Sequence, residues 1–131
     1  MSTARVVALL VDEDRRAVAA AGRQRGAISR AAVRAARTLE GGGSVVFLGA
    51  GTSGRMGVLE AAECPPTFGL APSRVRAVMA GGEGAVFRAV EGAEDDEQDG
   101  RRQGSALRPP DLLIGISGWP RRGRRPWIRS C

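Results

Sequence analysis

Val45-Val46-Phe47-Leu48-Gly49-Ala50-Gly51-Thr52-Ser53-Gly54-Arg55-Met56 decides the fold. Val45 to Leu48 is an unbroken apolar run between glycines. A strand with one wet face would alternate, so the run reads as a strand of a parallel sheet buried on both faces. A glycine-rich turn follows and leads into a helix over residues 55–62, which carries Met56, Val58 and Leu59. Pro65 and Pro66 are expected to end that helix, because proline lacks the amide donor and restricts the residue before it.

Downstream, residues 75–79, with Val75, Ala77, Val78 and Met79, read as a second strand. Residues 83–94, with Val86, Phe87 and Val90 on one side, read as another helix. After a polar stretch, Leu112, Leu113, Ile114 and Ile116 make a third strand. Upstream, residues 3–21 mix Val6, Val7, Leu9, Leu10 and Val18 with the charged cluster of residues 12–16, which suits an amphipathic helix. Ile28, Ala32, Ala35 and Leu39 recur at helical spacing in a second one, which Gly41, Gly42 and Gly43 stop. Strand, helix, strand, helix, strand implies an α/β fold: a parallel sheet with right-handed crossovers, preceded by two helices. The organisation expected is a helical segment over 1–40, the α/β part over 41–117 and a distinct tail over 118–131.

Composition sets the partners. The 131 residues contain 20 arginines, no lysine or histidine, and 14 acids, a net charge of +6. A basic domain invites a nucleic-acid reading. The tail argues against it: Arg121, Arg122, Arg124, Arg125 and Arg129 lie there without an acid, as do Trp119 and Trp127. The rest of the chain is almost neutral, and its arginine, alanine and glycine content reflects GC-rich coding. No apolar run is long enough for a membrane span, and no leader pattern is seen, so a cytoplasmic protein is expected. Cys64 and Cys131 stand in unrelated contexts, which predicts neither a disulfide framework nor a metal site.

The turn itself points to an anion. A strand entering a glycine turn and then a helix aims backbone amides and the positive end of the helix dipole at one point. Gly49, Gly51 and Gly54 satisfy G-x-G-x-x-G, yet no acid ends the second strand to hold a ribose, and Arg55-Met56 stand where a triphosphate loop needs Lys and then Ser or Thr. Thr52 and Ser53 add hydroxyl donors for phosphate oxygens; the plainer reading makes Ser53 a helix cap.

Four blocks in fixed order carry a resemblance. They are residues 49–59 (GAGTSGRMGVL), 63–69 (ECPPTFG), 80–83 (AGGE) and 90–96 (VEGAEDD). Together they resemble the N-acetylmuramic acid 6-phosphate etherases, members of the sugar isomerase (SIS) domain superfamily, over roughly Ser2 to Ser117. The resemblance implies a partial SIS-type parallel sandwich and a lyase that opens the lactyl ether of N-acetylmuramic acid 6-phosphate, giving N-acetylglucosamine 6-phosphate and D-lactate by elimination and hydration. It implies no cofactor and a homodimer in full-length relatives. By motif, Glu63 corresponds to the proton donor and Glu94 to the second catalytic acid, a base. Gly51, Thr52, Ser53, Gly54, Arg55 and Glu83 correspond to positions that hold the sugar phosphate. The related glucokinase regulatory proteins bind sugar phosphates without turning them over, which is the alternative function. Glu83 at a helix start is also explained by the dipole alone. The acidic run from Glu94 to Glu97 also has the look of a solvated face.

Past Ser117 the chain departs from the family pattern of a serine loop followed by Gly-Arg-Thr-Pro-Tyr. One account is a change of reading frame; the other is that Gly123-Arg124-Arg125-Pro126-Trp127 echoes the motif after an insertion. Either way a truncated form with weak or no activity is expected, its three-stranded sheet left with an open edge.

Overall fold

The structure, a computed structural model, describes residues 1–118. Inter-residue contacts divide the chain into two units, Met1–Ala36 and the part from Arg37 onward. In the first unit, helix α1 (Thr3–Arg23) begins where the Ser2 side chain accepts from the amide of Arg5, a serine N-cap. Arg15–Asp12 and Arg16–Glu13 pairs run along its exposed surface, and no α1 residue is buried. Helix α2 (Arg25–Glu40) starts in this unit and ends in the second. Its stop is a glycine cap. Gly42 takes φ +88°, its amide reaches the Leu39 carbonyl, and the Gly43 amide reaches back to Thr38. Those two bonds satisfy carbonyls that a helix end leaves open.

The second unit holds β1 (Val45–Gly49), α3 (Gly51–Phe68), β2 (Val75–Met79), α4 (Gly84–Phe87), a 3-10 turn at Ala93–Asp95, α5 (Glu97–Ser105) and β3 (Leu112–Ile116). The sheet order is β2-β1-β3 with both pairings parallel; Val45 lies beside Val75 on one side and Leu112 on the other. This is the partial SIS-type α/β architecture expected. Val46 and Leu48 of the central strand are buried, and Ala80, Ala50, Val78, Ala93 and Leu113 pack around Leu48. The strand starts are pinned by Asp111, whose carboxylate accepts from the amides of Ser44 at 2.8 Å and Arg108 at 3.1 Å. The Arg74 guanidinium donates to the Leu39 carbonyl and so ties the end of α2 to the start of β2.

Helix α3 lies along β1 and β2 at backbone distance, and its buried residues are Gly54 and Gly57. A Cβ on Gly54 would stand 2.6 Å from the Gly49 carbonyl oxygen, and one on Gly57 would stand 2.9 Å from Phe47 Cβ. Only glycine permits that approach.

Three elements differ from expectation. The helix expected over 55–62 starts at Gly51 and runs through Pro65 and Pro66 to Phe68. Proline's fixed φ is itself helical, so the helix carries on although Pro65 and Pro66 take two amide donors out of the ladder; Gly69 closes the last turn with its amide on the Pro65 carbonyl. The helix expected over 83–94 stops at Phe87, where Arg88 turns extended. Residues 97–105, a polar stretch in the sequence, form helix α5. Its start is set by Asp96, whose side chain accepts from the amides of Gln98 and Asp99.

Candidate functional site

The strand order places a switch point at the carboxyl end of β1, because the chain leaves that strand toward β2 and later returns on its other side as β3. Ligands of open parallel sheets bind at such points. Helix α3 opens there. Its N-cap, Ala50, is extended (φ −117°, ψ 153°), no side chain caps it, and its first turn carries no acid. The Gly54 amide bonds the Ala50 carbonyl at 3.2 Å, so the amides of Gly51, Thr52 and Ser53 precede the helical ladder. Three such donors at the positive end of an 18-residue helix suit an anion. Ser53 lies inside the helix and is not its cap, which removes the plainer reading of that residue.

A crevice of about 330 Å³ lies over the ends of β1 and β2, with Ala50, Gly51, Arg55, Ala80, Gly92 and Glu94 in its walls. Glu94 is half-buried in the 3-10 turn that Gly92 introduces. Of the residues singled out by motif, Gly51, Arg55 and Glu94 therefore meet in one place. Thr52, Ser53 and Gly54 share the first turn of α3 with Gly51 but do not line the crevice. Glu83 is exposed at the N-cap of α4 and lines neither this crevice nor the neighbouring depression. Glu63 is exposed on α3, twelve residues past Gly51. At about 1.5 Å per residue that is about 18 Å along the axis, toward the opposite end of the sheet. Within one copy of the described residues Glu63 and Glu94 do not share the crevice.

Arg55 does something the motif does not say. Its Nε donates to the Val86 carbonyl at 2.7 Å and an Nη to the Ala85 carbonyl at 2.9 Å. Two of its five donors thus hold the segment after β2 against the start of α3. Beyond the Gly92 wall lies a second depression of about 490 Å³ with Asp96, Asp99, Arg102 and Gln103 on its rim. Sequence reasoning missed it with α5. The signal was an aspartate at an N-cap, Asp96, hidden in a run of acids.

Two pKa shifts have clear causes. The amide hydrogen bond from Ser44, then that from Arg108, hold the Asp111 carboxyl below its ordinary value. Burial, then the charge of Glu60, push the Cys64 thiol up. A protonated thiol is a poor nucleophile, so Cys64 acts in packing. Among the described residues no group of three or more His, Cys, Asp or Glu side chains could hold a metal ion, and no helix is long and apolar enough to cross a membrane.

A three-stranded parallel sheet with helix α3 opening at its switch point is a partial α/β domain of the SIS type. The chain belongs to the family described as the glucokinase regulatory protein N-terminal SIS domain, whose model matches residues 27–119. It is also similar to curated N-acetylmuramic acid 6-phosphate etherases. It is 44% identical to that of Cutibacterium acnes over 98% of this chain and 42% of the relative. For the relative from Geobacillus thermodenitrificans the figures are 43%, 100% and 44%. For the one from Gloeobacter violaceus they are 46%, 96% and 41%. The chain thus spans about two fifths of the length of the curated relatives it matches. The tail beyond residue 118, with Arg124 and Trp127, lies outside the described residues.

Proposed function

We propose that this chain is the sugar-phosphate-binding part of a cytoplasmic N-acetylmuramic acid 6-phosphate etherase. The observation that carries the reading is the crevice, where Gly51 at the start of α3 and Glu94 both line the walls over the strand ends. The identity of the chain to etherases along almost its whole length supports it. The 6-phosphate sits on the amides of Gly51, Thr52 and Ser53, with the two hydroxyls adding donors. The pyranose ring then lies toward Glu94, which takes the proton from C2 and later activates water for addition to the double bond. Lactate leaves from C3 as its oxygen receives a proton, the part the resemblance gives to Glu63. Because Glu63 does not line this crevice, its part requires a second copy whose crevice comes to that end of α3, as in the homodimer expected from the resemblance. Glu83 completes the set as a sugar contact of the same assembly.

The test is incubation of the protein with N-acetylmuramic acid 6-phosphate in deuterated water. The expected products are D-lactate and N-acetylglucosamine 6-phosphate carrying deuterium at C2, both lost in Glu94→Gln and in Glu63→Gln. Release of lactate without deuterium at C2 would exclude the elimination route. The matching family model favours a second reading, a binding module that holds sugar phosphates without turnover. It expects N-acetylglucosamine 6-phosphate to raise the melting temperature while no lactate forms.

A further inference from the structure

The periodicity of residues 83–94 calls for one continuous helix, yet α4 lasts four residues, and Arg88 leaves it extended at φ −133°, ψ 144°. Had the helix continued, the carbonyls of Ala85 and Val86 would have accepted from the amides of residues 89 and 90. Arg55 takes those two carbonyls instead, from Nε at 2.7 Å and Nη at 2.9 Å. Two donors of one planar guanidinium replace two ladder bonds, and its charge meets the negative end of the short helix. The chain is then free to turn back. Ala85 is buried at 2% exposure as an anchor, Ala93 packs on Leu48 and Ala80, and Glu94 arrives in the crevice wall. A helix continued to residue 94 would carry Glu94 about 10 Å beyond Phe87 along its axis.

We propose that Arg55 is a positioning residue: its guanidinium ends α4 and turns residues 88–94 back so that Glu94 shares a crevice with Gly51 at the start of α3. The proposal deepens the etherase reading and rests on it only for what Glu94 does there. It differs from the motif-based assignment of Arg55 to the phosphate, since the donors described are spent on backbone.

The experiment compares hydrogen exchange along the full chain in the wild type, Arg55→Ala, Arg55→Lys and Arg55→Gln, with and without ethylguanidinium, and titrates each with N-acetylglucosamine 6-phosphate. In Arg55→Ala the amides of residues 85–94 should exchange about tenfold faster or more, while those of β1 and β2 keep their protection. Ethylguanidinium should restore the slow exchange, and Arg55→Lys should not, because one ammonium does not span two carbonyls. Affinity for the sugar phosphate should fall together with the protection of residues 85–94 and return with it in ethylguanidinium, since those residues form one wall of the crevice. Unchanged exchange at residues 85–94 in Arg55→Ala overturns the proposal, as does lost affinity with exchange unchanged, which would make Arg55 a phosphate ligand. Should Arg55→Ala fail to fold, Arg55→Gln, a neutral side chain of similar polarity, decides the same comparison. A wild type that does not bind the sugar phosphate sinks the etherase reading, while the exchange pattern still tests Arg55.

Discussion

Gly54→Ala puts one methyl group where β1 and α3 touch. The added Cβ would lie 2.6 Å from the Gly49 carbonyl oxygen, 2.9 Å from its carbon and 3.0 Å from Met79 Cγ. Two of these atoms are backbone of the central strand and cannot swing aside as a side chain would. To reach the ordinary 3.4 Å from the oxygen, the start of α3 must lift by about 0.8 Å. Overpacking of this kind costs about 2–3 kcal/mol, a large share of the roughly 5–15 kcal/mol that holds a domain together. The lift has a second effect, because the amides of Gly51, Thr52 and Ser53 move with the helix and the anion site loosens. Urea unfolding followed by far-UV circular dichroism should show the midpoint falling, and titration with N-acetylglucosamine 6-phosphate should show about tenfold weaker binding. Gly84→Ala is the control. Nothing lies within 4 Å of a Cβ there, so stability should change by no more than about 1 kcal/mol, in the favourable direction. A Gly54→Ala protein as stable as wild type would refute the close approach of α3 and β1. One that is destabilised yet binds the sugar phosphate unchanged would refute the link between that contact and the site.

Asp111 makes part of the stability acid-sensitive. Its folded carboxyl titrates below the unfolded value of about 3.9, so the benefit is complete above that pH and disappears as pH falls through the lowered folded value. Wild type should lose stability on acidification below about pH 4 more steeply than Asp111→Asn, measured as urea midpoints at stepped pH; parallel curves would sink the assignment. Cys64 should react with iodoacetamide several-fold more slowly than free cysteine at about pH 8, because burial and Glu60 keep the thiol protonated. Measured in a Cys131→Ser background, Glu60→Gln should speed the reaction, and Cys64→Ser should leave sugar-phosphate binding unchanged.

The central strand was legible because a buried parallel strand announces itself without context in the apolar run Val45 to Leu48, and its neighbours because Val75, Ala77, Val78 and Met79, then Leu112, Leu113, Ile114 and Ile116, are short apolar clusters between turn residues. The end of α2 was legible for the same local reason, three glycines of which the second must take positive φ. Helix α5 was not, since a helix whose residues are Glu, Gln, Asp, Arg, Gly and Ser carries no apolar stripe for periodicity to find. Its capping aspartate was the only mark, and it stood inside an acidic run that composition explains equally well.

The site was legible in its parts and not in its assembly, and the difference lies in which bonds are local. An open helix start after a glycine turn follows from neighbouring residues, so Gly51 and the donors beside it could be read directly. The place of Glu94 depends on a bond between residues 55 and 86, about thirty positions apart, which no period or spacing reports. Local preference favoured helix through residue 94, and two tertiary hydrogen bonds, each typically stronger when one partner is charged, outweigh it. The same argument bears on Glu63. Helical rise alone sets it about 18 Å from Gly51, so motif order, which lists Glu63 and Glu94 as partners, does not make them neighbours in one copy. If the two act on one sugar, the contact that joins them lies between chains, and mixing Glu63→Gln with Glu94→Gln protein should regenerate lactate release that neither has alone. Absence of such complementation, with both variants folded and paired, would separate Glu63 from the chemistry altogether.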